Sequence, residues 1–436
     1  MKARRERLRF FSCLAAQGVL FVALSFAARS GAAPSRIVLG LALSFVPYAG
    51  LLAWAAGAGE GRDRQRTALI ASSILGIALV FAPPVMSDDL YRYLWEGRLW
   101  LHGLNPYRLA PDDPALTSLR NELWAPINNK SLASIYPPLS QLLFVVAALL
   151  GGKVWTVKLL ALAAHVLSAW TVSRLADRPN AALALGLNPL LLSEAALNGH
   201  FDVLTGLALL IGVWALARLR IAPAATAVCA AVGLKVVGLV FLPFFTRRPK
   251  ALAAVSTVSA LFVLPLVWWR TPSDAASGPG QFASRWRGNE SVFAGVRWLA
   301  DQLVPEDWAA LVARAAVLAA LATLWWVLLR RRSPPVKSGR VLIWAVLLLS
   351  PQVHPWYLGW LIPLELFAGG RAGLVWSASV LCAYAPLDRW VREGVWDMPL
   401  WLQLSSYGAV LLALVFDPRR PWVGDSDSER PIHSSF

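Results

Sequence analysis

Two neighbouring carboxylates open the most chemically loaded stretch of the chain, Ser87-Asp88-Asp89-Leu90-Tyr91-Arg92-Tyr93-Leu94-Trp95-Glu96-Gly97-Arg98. Adjacent acids at a membrane exit can take a proton from a sugar hydroxyl as a general base. They can also stabilise the cationic, oxocarbenium-like centre that glycosyl transfer passes through. The same acids suit the start of a helix capped by Ser87, where the positive dipole end favours them, with an ion pair to Arg92. The pattern alone leaves both readings open. Leu90, Leu94, Leu101 and Leu104 fall on one stripe at helical spacing, and Asp88, Arg92, Glu96 and His102 lie on the other side. With Trp95 and Trp100 suited to headgroup level, the segment reads as a helix lying in the outer membrane interface.

Further polar groups are scattered among apolar runs. Gly103-Leu104-Asn105-Pro106-Tyr107 and Ile135-Tyr136-Pro137-Pro138-Leu139 carry turn and helix-start signals. Asn198, His200 and Asp202 lie at a predicted outward helix end. An unpartnered Asp in lipid is expensive, so Asp202 is expected to face protein or a cavity, in a structural network or in contact with an acceptor. Lys235 sits between two short apolar runs, where it either binds a phosphate as a point charge or snorkels to the surface. His354, between Pro351 and Pro355 and next to Trp356, either contacts phosphate or sugar or caps a broken helix.

The elements that hold these groups follow from composition. Of 436 residues, 57% are hydrophobic and 15% charged, against about 45–50% and 25% in soluble domains. A dozen spans of about 20 residues would absorb that apolar content. A soluble enzyme, a disordered chain and a single-span receptor are excluded. So is a membrane β-barrel, whose strands alternate. The net charge of +16 does not signal nucleic acid. Basic residues cluster in short breaks, at Lys2 to Arg9, Arg62 to Arg66, Arg247 to Lys250, Arg330 to Arg340, Arg419 and Arg420, as in cytoplasmic loops over an anionic lipid surface. Cys13, Cys229 and Cys382 form no CxxC pair and read as buried hydrophobes.

The expected fold is all-α, a polytopic integral membrane protein of about 11–14 transmembrane or partial helices. Apolar runs near 10–28, 37–57 and 68–86 put Ser87–Tyr136 on the extracytoplasmic side if the N-terminus is cytoplasmic. Residues 137–152 read as a short helix that enters without crossing, because a full crossing would strand Arg174 and Arg178 outside. Later runs fall near 154–175, 180–197, 201–217, 221–234, 236–246, 251–269, 309–329, 341–353, 356–370, 372–387 and 400–416. This assignment makes Lys and Arg roughly three times as dense inside as outside. Four regions result: an N-terminal hairpin (1–66), a catalytic module with the external loop 87–136 (67–270), a C-terminal module with a second external loop at 271–308 (271–416), and a disordered cytoplasmic tail (417–436). A plasma-membrane location with both termini cytoplasmic follows.

The order of the pieces resembles the C-type (GT-C) glycosyltransferases. The nearest likeness is to glycosyltransferase family 87 and the bacterial polyprenol-phosphate-mannose-dependent mannosyltransferases. It is carried by the exit-side acid, Glu96-Gly97-Arg98, Gly103-x-Asn105-Pro106-Tyr107 and Tyr136-Pro137-Pro138-Leu139. It continues through Leu187-Asn188-Pro189, Asn198-Gly199-His200-Phe201-Asp202, Gly233-Leu234-Lys235 and Pro351 to Trp356. The resemblance implies inverting transfer of a hexose, mannose above all, from a polyprenyl-phosphate donor to a lipid-linked glycan, glycolipid or polysaccharide. It also implies that an acid of the first large external loop is the base. Counted back from Gly103, Asp89 matches that acid best, with Asp88 beside it. Arg92, Lys235, His354 and Tyr136 are then expected at the donor, and Glu96, Tyr107, Asn198, His200 and Asp202 at the sugar or acceptor. Two departures stand out. The motif follows the third apolar run, which an extra N-terminal hairpin explains. Ser87 stands where an Asp-x-Asp would need an acid, so no metal site is assigned and a divalent metal requirement stays open. Walker, dinucleotide and zinc motifs are absent, which favours a lipid-linked donor. The rival functions are a transporter or flippase of lipid-linked sugars, which would show inverted repeats and midplane charges, and a non-catalytic envelope-assembly scaffold.

Overall fold

The computed structural model describes residues 2–57, 61–268 and 287–417. Residues 271–286 of the second external loop and the tail from 418 onward lie outside the described residues. Among the described residues the regular elements are helices, and the one β-bridge pairs Gly288 with Gln352. The protein is an all-α polytopic membrane protein. Five helices are long and apolar enough to cross a membrane, at Arg4–Arg29, Pro34–Gly57, Val154–Leu175, Pro249–Val267 and Glu306–Arg330. Their outward faces carry large bare side chains such as Val19, Phe26, Leu261, Leu318 and Trp326, as lipid contact requires.

The chain begins with three long helices, α1 (Lys2–Arg29), α2 (Pro34–Gly57) and α3 (Arg62–Val80). Next come α4 (Asp89–Leu101) and α5 (Pro138–Leu149). With 12 residues, α5 is about 18 Å long and cannot cross a hydrocarbon core of about 30 Å. After it, α6 (Val154–Leu175) returns beside α3, and Gln65 Nε2 donates to Ser173 Oγ at 2.5 Å.

The run expected as a single span near 180–197 is broken into α7 (Pro179–Gly186) and α8 (Pro189–Ala196). The cause is local: Pro189 has no N–H and disfavours helical geometry at Asn188. Asn188 caps the second half by accepting the Leu191 N–H at 3.1 Å. Neighbouring helices take the freed carbonyls. Tyr48 donates to Ala184, His165 to Gly186 at 3.1 Å and Gln17 to Leu187 at 2.7 Å. An interrupted helix is tolerated at membrane depth under that condition.

Then follow α9 (Asp202–Ala217), α10 (Ile221–Leu234) and α11 (Pro249–Trp268). The span expected at 236–246 is a 3-10 segment, Val236–Phe245, containing Pro243. The last helices are α12 (Val292–Leu303), α13 (Glu306–Arg330), α14 (Pro335–Leu349), α15 (Leu358–Ala368), α16 (Ala372–Ser379), α17 (Leu387–Glu393) and α18 (Leu400–Phe416). The run expected at 372–387 is thus a short helix continued by the 3-10 segment Val380–Tyr384.

The principal buried cluster runs from Phe10 to Leu414 and draws on all three membrane regions. Two glycines permit close helix crossings. A Cβ on Gly206 would lie 2.0 Å from the Gly359 carbonyl oxygen, which locks α9 against α15. A Cβ on Gly97 would lie 2.2 Å from the Phe144 carbonyl oxygen, which brings α5 onto α4.

Candidate active site

A cavity of about 680 Å³ is lined by six separate segments: Pro84 to Arg92, Asn128 to Tyr136, Lys235, Arg287 to Asn289, Gln352 to Tyr357, and Ala383 to Met398. Its size is ordinary for a small-molecule site. Asp88 and Asp89 lie at the start of α4. Ser87 Oγ accepts the Asp89 N–H at 3.3 Å, but the cap position itself is held by Asp88, whose side chain makes no cap bond. The Asp88 carboxylate instead accepts from the Asn128 amide, which also lies 3.5 Å from Asp89. Burial, and then the charge of Asp89, push Asp88 up to about 6, against the opposing pull of Asn128 and Arg92. Both acids line the cavity, and Asn128 ties Asp88 to the external loop.

The helix bearing these acids does not lie open on the membrane surface. Leu90, every residue from Arg92 to Gly97, and Leu99 are buried, and Trp95, expected at headgroup level, is 1% exposed. The loop 128–134 covers the polar side. Arg92 donates to the carbonyls of Leu132 at 3.0 Å, Asn128 at 2.7 Å and Asn129 at 2.9 Å, and it pairs with Glu96 at 3.5 Å. Glu96 in turn accepts from Ser134 at 2.7 Å and Gln141 at 2.6 Å. Burial raises its pKa, and Arg92, Ser134 and Gln141 oppose the rise. The guanidinium, expected at a donor phosphate, belongs to a residue that lines the cavity, and it is engaged there by loop carbonyls. Glu96, expected at a sugar, is away from the cavity lining, as is Tyr107, whose hydroxyl donates to the Tyr136 carbonyl at 2.8 Å. Helical periodicity located the polar stripe but could not show that a loop 36 to 40 residues later would cover it.

Lys235 follows α10, with its ammonium 3.6 Å from Asp202 and 5.3 Å from the Tyr136 ring centre. Its side chain is 22% exposed and lines the cavity, so the charge is available to a ligand. Asp202, at the start of α9, also accepts from the Trp360 indole at 2.8 Å. His200 stacks on Trp356 (4.0 Å between centroids), and Trp356 stacks on His354 (4.2 Å). Gln352 donates to His354 at 2.7 Å. Burial, and then the Lys235 charge, hold the His354 imidazole down at about 3. Asn198 is fully buried and accepts the Met86 N–H at 3.3 Å.

The structure brings Asp88, Asp89, Arg92, Tyr136, Lys235 and His354 to one cavity. It places Asn198, His200 and Asp202 behind that cavity's wall. Asn128, Gln352, Tyr384, Trp390 and Trp396 belong to the same lining and were missed. Nothing in their spacing marks them. Buried Glu194 was also missed, although an acid within the apolar run Leu190 to Ala196 is itself a signal. Among the described residues, no three His, Cys, Asp or Glu side chains converge as a metal site would.

A bundle of membrane helices around a cavity walled by carboxylates, a lysine and stacked aromatics fits an integral-membrane glycosyltransferase. Comparison with known sequences is specific. The family model described as alpha-(1->6)-mannopyranosyltransferase, N-terminal domain, matches residues 14–248, more than half of the chain, and the chain belongs to that family. It is 24% identical over 401 residues to Alpha-(1->6)-mannopyranosyltransferase A of Mycobacterium tuberculosis, covering 81% of this chain and 75% of the relative. No solved structure matches. The protein is a multi-pass membrane glycosyltransferase of a mannosyltransferase family.

Proposed function

We propose that the protein transfers mannose from a polyprenyl-phosphate donor to a lipid-linked or polysaccharide acceptor at the extracytoplasmic face, with inversion at the anomeric carbon. By analogy with its relative, the bond formed is α-(1→6). In this reading Asp89 takes the proton from the acceptor hydroxyl as its oxygen attacks the anomeric carbon, and the polyprenyl phosphate leaves. Lys235 holds that phosphate as a point charge. Asp88, tied to Asn128, orients the loop beside its neighbour. Tyr136, Trp356 and His354 offer flat faces and a neutral imidazole to donor or sugar.

One observation carries the reading. Every cavity segment sits at a chain end that the basic-residue pattern assigns to the outside, and the contacts keep the two sides apart. Ser35 meets Asp388, and Ser291 meets Leu348, at ends assigned outward. Asn180 meets Ala55, Arg247 meets Leu329, and Arg371 meets Asp417 at ends assigned inward. Charge-derived sidedness and packing therefore agree, as the positive-inside rule requires.

The test is transfer of labelled mannose from polyprenyl-phosphate mannose by the protein reconstituted in liposomes, with an α-mannosyl lipid as acceptor. A cysteine at position 113, probed with a membrane-impermeant maleimide in cells, reports the face. Labelled product together with labelling from outside supports the proposal. Labelling only from the cytoplasm, or use of a nucleotide sugar in place of the lipid donor, would overturn it.

A further inference from the structure

Glu194 lies at the end of α8, is 2% exposed and does not line the cavity, yet it reaches three of the cavity's walls. Its Oε1 accepts from the hydroxyl of Tyr384, a lining residue. Its Oε2 accepts from Asn198 Nδ2 at 3.0 Å. Asn198 uses its other atom, Oδ1, to hold the Met86 N–H at 3.3 Å. Met86 stands two residues before Asp88, so this link reaches the paired acids. The same Oε2 lies 3.7 Å from His200 Nε2. His200 stacks on Trp356 and through it on His354, both lining residues. On its other side, His200 Nδ1 is 3.3 Å from the Tyr93 hydroxyl.

We propose that Glu194 is a positioning residue that fixes the three walls of the cavity relative to one another; the role rests on the cavity being the transfer site. Burying a carboxylate is expensive, and a merely structural contact would be served by an apolar or amide side chain. What the carboxylate alone supplies is two acceptor oxygens pointing in different directions. A glutamine has one acceptor oxygen: if it serves Asn198, its amide faces the Tyr384 oxygen and leaves the Tyr384 hydrogen unpaired, and if it serves Tyr384, its amide meets the Asn198 amide donor to donor. Asn198 cannot turn its amide to compensate, because Oδ1 would then leave the Met86 N–H. Replacement by glutamine therefore leaves one buried donor unpaired and loosens one wall while keeping volume and fold. A displacement of about 1 Å at reacting groups can slow chemistry on the order of 100-fold. Lys235 and Asp202 hold each other independently of Glu194, so donor binding should persist.

The experiment compares the wild-type protein with Glu194→Gln, Asn198→Ala and the double variant in liposomes, using polyprenyl-phosphate mannose, and measures kcat, donor KM and thermal midpoint. The expected result is a kcat roughly 10- to 100-fold lower in Glu194→Gln, with donor KM and midpoint near wild type. The double variant should lose less than the product of the two single losses, because Glu194 and Asn198 are bonded to each other. Wild-type kcat in Glu194→Gln, a loss that only tracks the folded fraction, or multiplicative losses in the double variant would each overturn the proposal. If Glu194→Gln fails to insert, Asn198→Ala and Tyr384→Phe decide it. Lower kcat at unchanged donor KM supports the role, and normal kcat in both overturns it. Failure of the transfer reading itself would show separately, as a wild-type protein without mannose transfer.

Discussion

Replacing Arg92 with methionine tests whether this guanidinium builds the site or binds the donor. The side chain is 6% exposed, gives three hydrogen bonds to carbonyls of the loop 128–134, and faces Glu96 at 3.5 Å. Removing one member of a buried ion pair leaves the other charge uncompensated and costs about 3–5 kcal/mol. The loop carbonyls lose their charged donor as well, at about 1.5–3 kcal/mol per bond before water replaces it. Arg92→Met should therefore destabilise the protein by roughly 3–5 kcal/mol, as seen in chemical or thermal unfolding in detergent. The double variant Arg92→Met with Glu96→Met removes the stranded charge and should recover about half of that loss, leaving the unpaired loop carbonyls. Transfer should fall too, since the same loop carries the Asn128 that holds Asp88. A variant of wild-type stability that binds donor poorly would refute this reasoning and return Arg92 to the phosphate.

Three other perturbations follow from the geometry. Lys235→Ala should weaken donor binding by roughly 10- to 150-fold, the equivalent of one charge-assisted contact of about 1.5–3 kcal/mol, and unchanged affinity in a donor titration would remove Lys235 from the phosphate. Asp88 moves from 3.8 to about 6 on folding, so its charged form opposes folding at neutral pH by up to about 3 kcal/mol. That penalty is present above pH 6 and fades as the pH falls toward 4, so Asp88→Asn should melt higher than wild type at pH 7.5, with the gap closing by pH 4. Gly206→Ala places a methyl 2.0 Å from the Gly359 carbonyl oxygen and should destabilise by about 1–3 kcal/mol or more, measured as a lower midpoint of detergent-solubilised protein.

What the sequence made legible was set by length scales. Charge asymmetry and apolar run length are additive along the chain, so the long helices Lys2–Arg29, Pro34–Gly57 and Val154–Leu175 could be read directly. The short entry of Pro138–Leu149 was legible for the same reason, since a crossing would have put Arg174 outside. The break at Asn188-Pro189 was harder, because it depends on Gln17, Tyr48 and His165 arriving from elsewhere to take three carbonyls. The site divides the same way. Asp88 and Asp89 announce themselves as paired acids at a helix start. Glu96 and Arg92 look equally functional on a helical wheel, yet the loop 128–134 folds over Glu96 and binds Arg92 through three carbonyls, leaving only Arg92 at the cavity lining. Asn128 and Tyr384 carry no local signal, because their role comes only from partners 40 and 190 residues away.

Asp89→Asn is the most direct measurement of the central claim. Asparagine keeps the shape at the start of α4 and cannot take a proton from an acceptor hydroxyl. Loss of general-base help typically slows a reaction by about 10²–10⁴-fold. Single-turnover transfer from polyprenyl-phosphate mannose in liposomes should therefore slow by at least about 100-fold, with donor still bound, while Asp88→Asn slows less. Transfer at the normal rate by Asp89→Asn, with Asp88→Asn inactive, would assign the base to the other acid; normal rates in both would contradict the account.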